Sequence, residues 1–207
     1  MQSQQTSQIF LPNGLYCFYF SIKMSHISIE IKAKSANQKE IRKILKSKNA
    51  YFKGIDHQID TCFKVSYGRL KLREGNIENY LIYYVRENKE GPKQSNVILY
   101  KPTPNSSLKD ILTKSLGILA VVDKKREINF IGNLKFHIDS VKDLGYFVEI
   151  EAIDKTGLMS KKKLLNQCNY YMNLFKISKS DLISASYSDL LMKKQDKSSY
   201  RCIINKV

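Results

Sequence analysis

Cysteine, histidine and acidic side chains are all sparse in this chain of 207 residues, and each shortage narrows the reading. The cysteines Cys17, Cys62, Cys168 and Cys202 are widely spaced and contain no Cys-x-x-Cys pair. Neither a zinc site nor a disulfide framework is indicated, and reduced thiols in a cytoplasmic protein are the reading they support. His26, His57 and His137 have no ligand spacing, so they read as structural or surface residues. Asp and Glu total 19 against 35 Lys and Arg, a formal charge of +16. Such a balance favours an anionic partner: nucleic acid, an acidic membrane surface or a polyphosphate. Composition does not choose among them.

Long apolar runs are missing too. Ile9 to Ile22 is mostly apolar, but Pro12-Asn13-Gly14 interrupts it and no basic residue precedes it. A membrane-crossing helix needs about 20 continuous apolar residues, and a signal peptide needs a positive leading segment and a small-residue cleavage site. Residues 1–23 therefore read as a flexible extension or an artefact of start-codon choice. Periodic structure begins after Met24, giving one domain over 24–192 and a polar, loose tail over 193–207. No internal repeat is present, and no helix-turn-helix, RNA-recognition aromatic motif or finger spacing supports specific nucleic-acid binding. Hydrophobic content of 43% and charged content of 26% suit an ordinary globular protein with a sizeable core.

What the chain does contain is strands whose two faces differ in charge. In Gly68-Arg69-Leu70-Lys71-Leu72-Arg73-Glu74, alternation puts Arg69, Lys71 and Arg73 on one face and the leucines on the other. Three neighbouring cations repel one another unless anions sit among them. Ile27 to Lys34 repeats the arrangement, with Ser28, Glu30, Lys32 and Lys34 opposite Ile27, Ile29, Ile31 and Ala33. Further strands are expected over 56–66, 69–74, 79–87 (Tyr84 and Arg86 sharing a face), 97–101, 118–126 (Lys124 and Arg126 sharing a face), 129–138 and 145–153 (Glu149 and Glu151 sharing a face). Helices are expected over 36–48 with Asn37 as N-cap, over 107–115, from Met159, and from a cap at Ser178 and Asp181 to Leu191. Tyr83, Tyr84, Tyr170 and Tyr171 read as core and rim packing, and Lys161-Lys162-Lys163 as a solvated helix face.

Short connections imply antiparallel neighbours. The fold class is therefore α+β: about eight strands in an antiparallel sheet closed into a barrel, with helices packed on the apolar face. A lumen rich in Lys, Arg and Glu is costly to desolvate unless ions fill it. A polyanion held by the bases and divalent cations held by the acids resolves that cost.

Taken in order, several segments resemble the CYTH family, the triphosphate tunnel metalloenzymes that include class IV adenylate cyclases and thiamine triphosphatases. They are Glu30-Ile31-Lys32, Gln58 and Asp60, Gly68 to Arg73, Tyr84-Val85-Arg86, Gly91 to Ser95, Lys124-Lys125-Arg126, Asp139, and Leu144 to Glu151. The resemblance implies an eight-stranded tunnel that binds a triphosphate with Mg²⁺ or Mn²⁺. Glu30, Glu149 and Glu151 would bind metal, with Asp139 either a further ligand or the partner of a tunnel arginine. Lys32, Arg73, Arg86, Lys124 and Arg126 would hold phosphate, with Arg69 and Lys71 as secondary candidates. Lys32, Arg73 and Arg86 would carry the catalytic charge neutralisation. The expected partner is ATP, thiamine triphosphate or tripolyphosphate, with no membrane, and a homodimer is compatible with this reading.

One departure stands out. The family signature Glu-x-Glu-x-Lys here reads Ser28-Ile29-Glu30-Ile31-Lys32, so a first carboxylate is missing. The His-Phe pair that often precedes it in class IV cyclases is absent as well. The missing pair shifts weight from cyclisation to hydrolysis or another triphosphate reaction; the missing carboxylate puts a full two-metal site in doubt and keeps open a polyphosphate-binding protein without catalysis.

Overall fold

The computed structural model describes residues 24–204 apart from 87, 89 and 104, with side chains described from 27 to 196. The extension over residues 1–23 lies outside the described residues. Eight strands form the framework: β1 (Met24–Lys34), β2 (Tyr51–Phe63), β3 (Arg69–Gly75), β4 (Tyr80–Arg86), β5 (Lys93–Tyr100), β6 (Ile118–Ile131), β7 (Leu134–Val141) and β8 (Gly145–Asp154). Four helices accompany them: α1 (Gln38–Ser47), α2 (Leu108–Leu116), α3 (Lys161–Leu174) and α4 (Tyr187–Ile204). The strands close into a barrel in the order β1-β5-β4-β3-β2-β6-β7-β8, every pairing antiparallel. This is the closed, helix-flanked barrel that the alternating charge pattern implies.

The hydrophobic core lies outside the barrel. Ile29, Ile31 and Ala33 of β1, Leu134, Phe136 and Ile138 of β7, and Val148, Ile150 and Ala152 of β8 point outward. They pack beneath Ile41 and Leu45 of α1 and Leu164, Cys168 and Tyr171 of α3. Phe136 sits edge-on to Tyr171 with ring centroids 4.7 Å apart and meets Phe175 at 5.8 Å. Because side chains alternate along each strand, sealing this outer face commits the residues between to the lumen. Cys62 and Cys168 are free, buried thiols.

The ends of several elements differ from the sequence expectation. β6 continues through Glu127 and Ile128 to Ile131, and the turn is Gly132-Asn133, which leaves Ile131 paired with Leu134. Gly132 has φ 57°, the left-handed backbone that glycine adopts without steric penalty in a two-residue hairpin turn. Asn37 precedes α1 without a side-chain cap bond. Ser178 and Asp181 form a capping box, but it closes only a 3₁₀ turn over Lys179–Asp181. The chain then runs extended to Ser186, where a second reciprocal cap starts α4: Ser186 N donates to Asp189 Oδ2 at 3.0 Å and Asp189 N to Ser186 Oγ at 3.1 Å. The segment from Lys193, expected to be loose, is helical to Ile204, and Lys194 Nζ ties α4 to the Asp143 carbonyl at 2.6 Å.

The segment between the 3₁₀ turn and α4 closes one mouth of the barrel. Leu182 bridges to Ala33, and Ile183 N donates to the Lys32 carbonyl at 2.9 Å. Tyr187 then joins Cys62, Val122, Val141 and Phe147 in a small apolar cluster across that end.

Candidate triphosphate tunnel

A cavity of about 540 Å³ fills the barrel. It is lined by Lys32, Lys71, Arg73, Arg86, Lys124 and Arg126 together with Glu30, Glu149 and Glu151. Of the residues singled out from sequence, Arg69 and Asp139 do not line it. Arg69 lies at the closed mouth, bonded to Asp189 of α4 at 2.9 Å. Asp139 is fully buried, accepting from Arg126 at 2.7 and 2.5 Å and from the Tyr187 hydroxyl at 2.7 Å.

The charges form linked clusters. Asp60 of β2 is the hub of the first. Arg73 clamps it with two bonds at 2.8 and 2.9 Å, Lys124 Nζ reaches it at 2.6 Å and Lys71 Nζ at 3.1 Å. Burial opposes ionisation of Asp60, but Arg73, Lys124 and Lys71 outweigh it and hold the carboxyl well below its ordinary range. One carboxylate cannot neutralise three cations. Burial, added to repulsion from Arg73, Arg126 and Lys71, lowers Lys124 to about 7 despite its ion pair with Asp60.

Glu149 is the hub of the second cluster. It meets Lys32 at 3.0 Å, Arg126 at 2.7 Å and His137 Nδ1 at 3.0 Å. Burial, reinforced by Arg126 and Lys135, lowers His137 to about 4, so its imidazole is neutral at pH 7 and its Nδ1–H donates a hydrogen bond to the ionised Glu149 carboxylate. Lys32 Nζ also lies 3.9 Å from the centroid of the Tyr187 ring, a cation–π contact at the closed end. Glu78, on the turn between β3 and β4, bridges Arg73 at 3.3 Å and Lys135 at 2.7 Å across the other end. Asp56 holds that turn, accepting from Ile77 N at 2.8 Å and Glu78 N at 3.0 Å. Glu30 accepts a close bond from Arg86.

Several residues on the lumenal side of their strands are not among the site residues expected from sequence, although Lys93 and Tyr84 lie in segments that resemble the family. Lys93 is fully buried, its Nζ donating to the Ile183 and Ser184 carbonyls at 2.6 and 3.2 Å. Burial, with repulsion from Arg86, lowers it to about 8. Its signal was present, since it alternates with Ser95, Val97 and Leu99, but one cation on an otherwise apolar face does not announce a lumen. Tyr84, expected to be packing, faces the cavity with Arg86, Lys71 and Arg69 at 5.7, 5.8 and 5.9 Å from its ring centroid. His137 was read as structural and proves lumenal. Lys161, Lys162 and Lys163 are exposed on α3, as their spacing implies.

Toward the mouth opposite α4 the lining changes character. Tyr80, Ile82, Val97, Leu99, Phe130 and Ile153 supply apolar wall, with Lys53 and Lys155 at the rim. One cavity thus presents a charged girdle with an apolar approach.

The donor chemistry suits a divalent cation. Glu30 stands directly opposite Glu151 in the β1/β8 ladder, with Glu149 two residues along the same face. Mg²⁺ and Mn²⁺ take hard oxygen ligands, and Mg²⁺ is commonly held by one or two carboxylates while water and substrate phosphate complete its shell. Among the described residues no three acidic, imidazole or thiol groups converge on one point, and Glu30 is engaged by Arg86 and Glu149 by Lys32, Arg126 and His137.

The CYTH domain profile matches residues 26–172. A Methanocaldococcus jannaschii protein named "Putative adenylate cyclase" is 27% identical over 183 residues, covering 79% of this chain and 98% of its own. The PH1012 protein of Pyrococcus horikoshii has the same fold, with a TM-score of 0.64 at 21% identity over 79% of this chain and 98% of that one. So does a Hippeastrum "putative adenylyl cyclase" described as having a dominant triphosphatase activity, with a TM-score of 0.54 at 11% identity over 83% and 96%. With its closed barrel, lumenal charges and matching profile, the chain belongs to the CYTH family.

Proposed function

We propose that this protein is a metal-dependent enzyme that binds an organic triphosphate in its tunnel and hydrolyses it. The observation that carries this reading is the convergence of Lys32, Arg73, Arg86, Lys124 and Arg126 on one enclosed cavity that also receives Glu30, Glu149 and Glu151. Phosphoryl transfer depends on positioning and on neutralising the non-bridging oxygens. Arginine supplies forked donors for that purpose and lysine a point charge.

Glu30 and Glu151, with Glu149 alongside, would hold Mg²⁺ or Mn²⁺, which when bound supplies Lewis-acid polarisation of phosphate. The chain's own residues do the rest. Lys124, Lys71 and Arg73 exchange part of their bonding to Asp60 for phosphate oxygens, and Arg126 and Lys32 do likewise from Glu149. Closure by α4 at one end excludes water there and fixes the direction of entry. The organic group then lies toward the mouth lined by Ile82, Val97, Leu99 and Phe130.

Cyclisation of ATP to cAMP and pyrophosphate is the second reading, favoured by the name of the M. jannaschii relative. Hydrolysis ranks first because the His-Phe pair of class IV cyclases is absent ahead of Ser28 and because the similarly folded Hippeastrum protein is described as having a dominant triphosphatase activity. The same serine supports a third reading, a polyphosphate-binding protein with a degenerate metal site.

Product analysis decides among the three. ATP, thiamine triphosphate and tripolyphosphate are each incubated with Mg²⁺, Mn²⁺ or chelator. Orthophosphate that depends on the metal is the expected product. cAMP with pyrophosphate would establish the cyclase. No turnover, with thermal protection by one of these ligands, would establish the binding protein.

A further inference from the structure

A buried hydrogen-bonding atom without a partner is uncommon and costs free energy. Among the described residues, four of the six such side-chain atoms gather at one corner of the tunnel: Ser28 Oγ, Ser95 Oγ, Arg86 Nε and Arg86 Nη2. Ser28 stands opposite Ser95 in the β1/β5 ladder, and Ser95 opposite Arg86 in the β5/β4 ladder. Three adjacent strands therefore bring these side chains to one place. Ser28 is 0% exposed, Ser95 2% and the Arg86 side chain 3%, while Ser95 and Arg86 line the cavity.

All four atoms can donate, and a guanidinium cannot accept. The two hydroxyls can also accept, but beyond Glu30, which holds Nη1, none of the residues at this corner carries negative charge: what it lacks is an anionic acceptor. Arg86 is already anchored through Nη1 to Glu30, so its remaining nitrogens are held in place by a bond on the far side of the fork. Ser28 occupies the position where the family signature has a carboxylate. A carboxylate there would be a strong acceptor beside Arg86. Serine puts a neutral donor in its place and leaves the guanidinium's free edge for an incoming ligand.

We propose that Ser28, Ser95 and Arg86 form an oxyanion subsite that binds a non-bridging phosphate oxygen directly, without an intervening metal ion. This rests on the reading of the tunnel as a triphosphate site. Ser28 is then a phosphate ligand in its own right, at the position where the Glu-x-Glu-x-Lys signature it resembles has a carboxylate.

The test is calorimetric binding to the full chain in chelator, with tripolyphosphate and orthophosphate as probes, beside thermal melts of the ligand-free protein. Ser28→Ala and Ser95→Ala are each expected to weaken tripolyphosphate binding about tenfold. Each should also raise the melting temperature of the ligand-free protein, because a buried orphan hydroxyl is gone. Ser28→Glu, which restores the family carboxylate, should weaken metal-free binding further by capturing Arg86. A purely structural role for the serines would lower the melting temperature and leave affinity unchanged. Orthophosphate binding with the same serine dependence would support a subsite that reads a single phosphoryl group. Tripolyphosphate binding alone, again serine-dependent, would support a subsite working as one part of a longer cradle. Wild-type binding that the alanine variants do not alter, or that requires Mn²⁺, would overturn the subsite and leave the tunnel standing. No wild-type binding with or without Mn²⁺ would overturn the tunnel reading, and this inference with it.

Discussion

Lys124 Nζ lies 2.6 Å from Asp60 Oδ2, and both side chains are buried, yet despite this ion pair the lysine is easier to deprotonate than a lysine in water. Burial out of water is the first reason, and local charge adds to it: Arg73 and Lys71 share the same carboxylate, and Arg126 supplies a further cation nearby. The cluster carries uncompensated positive charge before any ligand arrives.

A pH dependence follows, and its sign can be worked out. Lys124 has a folded-state value of about 7 against an ordinary 10.5. Between those values the unfolded chain binds more protons, so this group makes stability rise with pH across that window. A bound polyanion reverses the preference by favouring the charged ammonium. Tripolyphosphate binding at pH 8 should therefore take up protons, and affinity should fall as pH climbs above 7. Calorimetry in two buffers of different ionisation enthalpy measures the uptake. Lys124→Met should reduce it, and equal uptake by variant and wild type would dissociate the effect from this lysine.

Asp60→Asn tests the same hub from the other side. Removing the carboxylate leaves Arg73, Lys124 and Lys71 with no shared counter-charge. Breaking a buried ion pair in this way typically costs about 3–5 kcal/mol. Saturating tripolyphosphate should restore part of that loss by supplying the missing anion. The variant should thus melt well below wild type alone and show a larger upward shift with ligand. A ligand shift no greater than that of wild type would mean that the phosphate does not reach this cluster.

How much of this was legible in the sequence depends on how many charges a strand carries. β3 announces its lumenal face because Arg69, Lys71 and Arg73 occupy three successive positions of period two, with leucines between them. β5 does not, because Lys93 is followed inward by Ser95, Val97 and Leu99, a face that could equally pack against a helix. Partners across the lumen were out of reach for another reason. Glu78 meets Lys135 only once the barrel closes, and the pair is 57 residues apart in the chain. Alternation alone ends the strand at Arg126, whereas β6 runs to Ile131 and turns at Gly132-Asn133, where glycine adopts positive φ. α4 was cut short because its polar tail lacks an apolar stripe, while its start depends on the cap between Ser186 and Asp189.

With the apolar core outside the barrel, stability and ligand binding should respond to different substitutions. Phe136 is fully buried between β7 and α3 and points away from the cavity. Phe136→Ala should cost about 3–5 kcal/mol, the usual range for truncating a buried aromatic. Urea denaturation would measure it. At low temperature, where the variant remains folded, its affinity for tripolyphosphate should match wild type. A large change in affinity without loss of stability would place Phe136 in the binding machinery.

Glu149→Gln separates metal binding from charge pairing. Glu149 meets Lys32, Arg126 and His137 at once, and burial opposes its ionisation while Arg126 and Lys32 hold it well below its ordinary range. Neutralising it should remove the metal-dependent activity, but also destabilise the ligand-free protein by about 3 kcal/mol, since buried Lys32 loses its counter-charge while Arg126 keeps only Asp139. Activity alone therefore cannot assign its role. Mn²⁺ titration in the presence of saturating tripolyphosphate can, because the polyanion then neutralises Lys32 and Arg126 and the fold no longer depends on the carboxylate. A metal ligand should show Mn²⁺ affinity reduced at least tenfold under those conditions. Unchanged Mn²⁺ affinity would make Glu149 a charge partner of the phosphate cradle and leave the metal to Glu30 and Glu151, which face each other across β1 and β8.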